Sequence, residues 1–140
     1  MSISNEDFIE IQQLMYRYAR CADHRDYAGF ARVFTDDATL IYRGNAFAGL
    51  STIQKILTDL EKYKRTLHQV SNTDYQVDGH KALGETYCLA SHIMDGDAGE
   101  IKLDMAIRYK DKLIKEAEGW RIQGRELELV WTQTSAIDQI

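Results

Sequence analysis

The sequence predicts an α+β fold in which a strongly curved sheet, mixed or antiparallel, wraps around a group of N-terminal helices. Three observations predict it. Apolar residues recur every three or four positions up to about Lys64 and every second position beyond it. Turn signals at Asp78-Gly79, at Asp95-Gly96-Asp97 with Gly99, and at Glu118-Gly119 divide the second part into four long strands joined as a meander. In the last strand Trp120 and Ile122 have even numbers but Leu127, Leu129 and Trp131 odd ones, a break that a bulge near Gly124 repairs. Bulges curve a sheet, and a curved sheet over helices tends to enclose a pocket.

In chain order, Ser4 and Asp7 resemble a capping box, and Phe8, Ile11, Met15, Tyr18 and Ala22 then mark a first helix of about five turns. Asp26 can cap a shorter second helix carrying Phe30, Val33 and Phe34. A turn is expected at Asp36 and Asp37. Ala38, Leu40 and Tyr42 then alternate with Thr39, Ile41 and Arg43 as a strand, so Tyr42 shares a face with Leu40. Ser51 with Gln54 opens a third helix whose Ile53, Ile56, Leu57 and Leu60 form one apolar face. In the third of the long strands Ile101, Leu103, Met105, Ile107 and Tyr109 oppose Lys102, Asp104, Arg108 and Lys110, a half-buried pattern.

Composition narrows the function. The 140 residues, 44% hydrophobic and 10% aromatic, suit one globular domain spanning 1–140. A net charge of -5, with Lys and Arg scattered singly, offers no basic stripe for nucleic acid. The polar, acidic start is unlike a secretory signal and no window approaches a membrane span, so a soluble cytoplasmic protein is expected. Cys21 and Cys88 lack CxxC spacing and read as reduced, buried thiols. Histidines without HxH or HxxxH spacing argue against a metal, and no GxSxG, Walker A loop or GxGxxG is present. No cofactor is expected.

Asp23 is the most informative polar residue. It lies about 20° from Tyr16 and about 40° from Ala19 around a helical wheel, so it either faces inward or caps the turn of His24, Arg25 and Asp26. An inward carboxylate needs a donor. His68 stands at the start of the first long strand, and spacing alone does not say which face it occupies. His92 shares parity with Ala82, Gly84, Thr86, Cys88, Ala90 and Met94, small side chains that leave volume beside it; it is either a cavity residue or a core histidine. His24 and His80 fall in turns and carry no assignment.

The segments ADHRDYAGFARVF, IYR around Tyr42, RTLHQVSN and LGETYCLASH resemble the SnoaL-like branch of the NTF2-like α+β cone fold, over nearly the whole chain, and look most like scytalone dehydratase. The resemblance implies that Asp23, Tyr42, His68 and His92 converge as catalytic residues inside the cone. Tyr16, Leu103, Met105 and Trp131 would contact substrate. Asp23 and His68 also resemble the dyad of hexachlorocyclohexane dehydrochlorinases. Ala22 stands where scytalone dehydratase has a second tyrosine, and Leu103 and Met105 where it has a serine and an asparagine, which points to an apolar ring other than the naphthalenone.

The implied chemistry is cofactor-independent elimination. An imidazole whose ring N–H is held by a buried carboxylate has a fixed tautomer and gains basicity. On that reading His68 is the base, Tyr42 serves a carbonyl or enolate oxygen, and His92 donates to the departing hydroxide or holds a bridging water. An isomerase or dehydrohalogenase uses the same dyad; a small-molecule-binding or oligomerisation module, with an inert pocket, is the non-catalytic alternative. A homo-oligomer, dimer or trimer, is expected, with Trp120 and Trp131 suited to the interface.

Overall fold

The computed structural model describes residues 3–138. Helix α1, Asn5–Asp23, begins where Ser4 Oγ accepts the Asp7 N–H at 3.1 Å. Only that half of the capping box forms. The Asp7 carboxylate instead accepts from Trp120 Nε1 at 2.8 Å and Lys115 Nζ at 3.2 Å, tying the start of the helix to the last two strands. Ile11, Leu14, Met15, Tyr18 and Ala22 are buried, but Phe8 is exposed and lies outside the stripe it was assigned to.

After α1 the chain makes a 3-10 turn, Ala28–Arg32, where Asp26 Oδ1 accepts the Gly29 N–H at 3.0 Å. Strand β1 runs Phe34–Tyr42 and includes Asp36 and Asp37, so the turn expected there is a register slip within a strand. Two residues follow with positive φ, Arg43 at 50° and Gly44 at 78°, and they fold the chain into a short strand β2, Asn45–Ala48, that periodicity did not reveal. Helix α2, Leu50–Leu57, starts from Gly49 and not from a Ser51 capping box; Gln54 donates to the Tyr27 carbonyl at 2.9 Å. A second 3-10 turn, Thr58–Lys62, leads into the long strands β3 Arg65–Asp78, β4 Lys81–Gly96, β5 Gly99–Glu116 and β6 Gly119–Ala136.

The sheet order is β2-β1-β6-β5-β4-β3, with β1 and β6 parallel and every other pair antiparallel. The sheet is mixed and unclosed. It curls around α1, whose Tyr18 ring meets Phe30, Phe34 and Tyr109 edge-on. Gly84 marks a close approach: a Cβ there would collide with the Asp74 carbonyl and lie 2.6 Å from Tyr75, so only glycine lets β3 fold Tyr75 into the core.

Two bulges shape β6. The one expected near Gly124 exists, because Lys112 pairs with Gly124 but Leu113 with Ile122. A second lies between the Ala106–Trp131 and Ile107–Leu129 pairs. It inserts Val130 and returns the next residues to the opposite parity. Trp131 therefore points outward, 48% exposed, while Trp120 is buried in the core and is no interface residue. Among the described residues no helix is long and apolar enough to cross a membrane.

Candidate active site

Asp23 does not cap its own turn. Its carboxylate reaches across to β3, where Oδ1 lies 2.7 Å from His68 Nδ1 and accepts the Thr66 hydroxyl at 3.0 Å, while Oδ2 accepts the His68 backbone N–H at 2.9 Å. The local sequence explains this geometry. β3 is an edge strand, so the His68 amide has no strand partner on that side and is free for a carboxylate. Arg25, in the left-handed region at φ 56°, aims its guanidinium back over the helix end, donating to Ala22 O at 2.7 Å and to Thr66 Oγ1 at 2.8 Å. With that lone pair occupied, the Thr66 hydroxyl proton turns to Asp23.

Burial works to raise the Asp23 carboxyl, but the bonds and charge of His68 and the Thr66 hydroxyl outweigh it and hold the carboxyl below its ordinary range. It is a carboxylate at neutral pH. The short contact to Nδ1 assigns the His68 ring proton to that nitrogen and leaves the lone pair on Nε2.

His92 lies in the same cluster, its ring 5.9 Å from that of His68 and 4.6 Å from Tyr63. Nδ1 stands 3.1 Å from the Leu103 carbonyl, which can only accept, so Nδ1 carries the proton. Burial, reinforced by His68 and partly offset by the Leu103 bond, pushes His92 below its ordinary value. A neutral ring with its proton spent on Leu103 has only an acceptor at Nε2. Of the two roles expected for His92, donation to a departing hydroxide therefore fails, and a water-holding role fits.

Both histidines line a pocket of about 240 Å³. Its walls are apolar and aromatic: Tyr18, Leu40, Tyr42, Phe47, Tyr63, Met105, Ile107, Tyr109 and Leu127, with Ile56, Leu57 and Leu60 from the α2 region. Exposed Arg43, Asn45, Asp59 and Lys62 surround it. Tyr42 and Met105 thus line the same pocket as the two histidines. Leu103 packs on the core and contributes its carbonyl to His92, not a wall of the pocket. Tyr16 is 50% exposed on α1 and Trp131 faces outward, so neither reaches the pocket. Tyr16 loses its place because Tyr18 and Met15 occupy the inward face of the helix; Trp131 loses it to the bulge at Val130.

Sequence reasoning missed a buried group beside this pocket. Arg125 Nε and Nη2 donate to the two oxygens of Asp111 at 2.7 and 2.8 Å, and Tyr75 Oη donates to Asp111 Oδ2 at 2.6 Å. The guanidinium lies 4.4 Å from the Tyr18 ring centre and 3.9 Å from that of Tyr109. Burial alone would push Arg125 down, but the Asp111 charge and hydrogen bonds more than compensate. Asp111 shares parity with Tyr109 and Leu113, and Arg125 with Leu127: charges on apolar parity were the signal. A wider groove of about 910 Å³, lined by Glu85, Lys110, Lys112 and Glu126 and reaching Asp111 and Arg125, contains no histidine. Among the described residues no three His, Cys, Asp or Glu side chains converge as a metal site requires.

Comparison with known proteins agrees with this architecture. The SnoaL-like domain model matches residues 4–126. The chain is 31% identical over 119 residues to the uncharacterised protein Rv2910c of Mycobacterium tuberculosis, covering 83% of this chain and 80% of that one. Among solved structures, the Kfla4162 protein of Kribbella flavida superposes with a TM-score of 0.85 at 23% identity, over 91% of this chain and 93% of that one. A Novosphingobium aromaticivorans protein provisionally named a scytalone dehydratase gives 0.82 at 21%, over 94% and 89%. The hexachlorocyclohexane dehydrochlorinase LinA-type3 of Novosphingobium barchaimii gives 0.80 at 16%, over 98% of each chain. At such identities the solved structures speak for the fold alone. The chain belongs to the SnoaL-like family.

Proposed function

We propose that the protein is a cofactor-independent lyase that removes a proton, and then water, from a small, largely apolar cyclic hydroxyketone. The observation that carries this reading is the 2.7 Å contact between Asp23 and His68 on the wall of an apolar pocket of about 240 Å³. His68 Nε2 takes the proton from the carbon beside the carbonyl. Asp23 stabilises the imidazolium so formed and keeps the ring in place. The electrons of the broken C–H bond form the new C=C bond as the C–O bond to the leaving hydroxyl breaks. The proton on His68 then passes to the departing hydroxide, giving water. Tyr42 lines the same pocket and suits the oxygen on which enolate charge develops, while neutral His92 holds a water through Nε2.

An isomerase would return the proton to another carbon, and a dehydrohalogenase would expel halide; both use the same base, and the dehydrochlorinases share this fold. Product analysis in deuterium oxide, with halide release followed on chlorinated rings, separates them. The principal test is His68→Ala against a panel of cyclic hydroxyketones. Turnover should fall by about 10² to 10⁴, the usual contribution of a positioned base, while ligand binding persists. Full activity in that variant overturns the mechanism, and tight binding without turnover in the wild type favours a ligand carrier.

A further inference from the structure

Helix α1 ends in a turn whose backbone bonds run from Arg25 N to Ala22 O at 3.3 Å and from Asp26 N to Cys21 O at 2.9 Å, with His24 as the C-cap. That pattern needs a left-handed residue just past the cap, a position that glycine fills most readily because a side chain there crowds the following carbonyl. This chain has Arg25 there instead, at φ 56°. A non-glycine residue held in that region stores backbone strain, and strain of this kind gathers at functional sites. Glycine would make the same turn with less strain, so what the arginine adds is its guanidinium.

That guanidinium approaches the dyad from behind. Nη1 donates to Thr66 Oγ1 at 2.8 Å as well as to Ala22 O, and Nη2 reaches the Tyr63 carbonyl at 3.4 Å. Chemistry fixes the direction of each bond. A guanidinium only donates and a carboxylate only accepts, so the Thr66 hydroxyl accepts from Arg25 and donates to Asp23 Oδ1, 3.0 Å away. Bonds aligned head to tail polarise one another, and the cation at the head of the row makes Thr66 a stronger donor. Register puts buried Thr66 opposite His92 and two residues before His68, within reach of both halves of the site. None of Arg25, Thr66 and Asp23 lines the pocket, so the row meets His68 from outside it.

We propose that Arg25 is a positioning residue: acting through Thr66, it holds the Asp23 carboxylate where that group keeps the His68 ring proton on Nδ1 and leaves the Nε2 lone pair free for the substrate. This rests on reading His68 as the base of the pocket. Without the Thr66 bond the carboxylate keeps only its two bonds to His68 itself and gains freedom to turn about Cβ–Cγ, so a single geometry no longer sets the tautomer.

The test uses Arg25→Gly, which relieves the backbone while removing the guanidinium, and Thr66→Val, which keeps the shape of the side chain but not its hydroxyl. In imidazole ¹H–¹⁵N spectra recorded in mildly alkaline solution, exchange of the His68 Nδ1 proton with water should quicken about tenfold in each variant, the scale of one hydrogen bond. The Nε2-protonated tautomer should become visible beside the Nδ1 form. Thr66→Ser should return both readings to their wild-type values. With a substrate, kcat should fall about tenfold in both variants at unchanged KM, because neither residue lines the pocket. In the unaltered protein the Thr66 hydroxyl proton should give a resolved resonance, sheltered from exchange between Arg25 and Asp23, a measurement that does not depend on a variant folding. A wild-type tautomer and exchange rate in either variant, or an unresolved hydroxyl proton, overturns the inference; a guanidinium serving only to cap the helix would leave the His68 spectra unchanged. Altered spectra with no turnover in any protein would sink proton abstraction alone, and wild-type spectra in both variants with turnover lost in His68→Ala would sink this inference alone.

Discussion

Replacing Asp23 by Asn separates an orienting carboxylate from an ordinary surface one. Asp23 accepts three hydrogen bonds, from the His68 ring, the His68 amide and the Thr66 hydroxyl, and its side chain is 18% exposed. An amide offers one oxygen and two N–H donors. If the oxygen keeps the ring and Thr66, the NH₂ group meets the His68 amide, donor against donor. If the amide turns over, its N–H group bonds Nδ1, drives the imidazole proton to Nε2 and leaves Thr66 unmatched. Either way one partly buried polar contact is lost, at a cost of about 1–3 kcal/mol, or roughly 3–10 °C in Tm for a chain of this length. Scanning calorimetry reads the first quantity, and long-range ¹H–¹⁵N correlation spectra of the imidazole read the second: in the wild type Nδ1 should carry the proton. Should the variant act on a substrate, its rate should fall by about 10² to 10⁴. A Tm within about 1 °C of wild type together with an unchanged ¹⁵N pattern would refute the role given to Asp23.

Two further predictions concern charge in the interior. Arg125→Met strands Asp111 without its partner and should cost about 3–5 kcal/mol in urea unfolding, while adding Asp111→Leu should restore much of the loss, because a matched apolar pair replaces a matched ionic one; a single variant as stable as wild type would show that the pair contributes nothing. Stability should also fall on acidification from pH 7 to 5. His92 is held below its ordinary 6.5 by burial, so in this window the unfolded chain binds a proton that the folded chain refuses, and stability rises with pH and is lost as pH falls. Asp23, below 3.8 when folded, has the same sign, and its contribution disappears only at still lower pH. Thermal midpoints of His92→Gln should lose the slope between pH 7 and 5, and an identical slope would exclude His92 as its source.

Periodicity served well where one face meets the core and the other meets water. The four long strands, their turns and the buried face of β4 from Ala82 to His92 follow from alternation and glycine placement alone. It served badly where one inserted residue changes the phase. Val130 turns Trp131 outward, and no pattern in the surrounding side chains announces it. The strand Asn45–Ala48 is too short for a period to register, and it depends on positive φ at Arg43, a residue type that does not advertise it. Within the site, residue types and the family resemblance brought Asp23, His68, His92 and Tyr42 together. What they left out was a backbone matter: the edge-strand amide of His68 and the Leu103 carbonyl, which set the carboxylate's position and His92's tautomer, have no side-chain signature. Asp111 and Arg125 were legible as charged residues on apolar parity, a pattern whose meaning appears only when both strands are aligned.

The ion pair of Arg125 and Asp111 also bears on how the family can diversify. Pockets usually widen by trimming a bulky wall residue, but trimming Tyr109 here would uncover a guanidinium and a carboxylate rather than hydrocarbon, and the new volume would suit water more than a larger ring. Growth in that direction is closed unless two charges disappear together. Changes of substrate size in relatives that retain the pair should therefore be concentrated at the opposite side, in β2 and the 3-10 turn Thr58–Lys62, where Asn45, Phe47, Asp59 and Lys62 can vary one at a time.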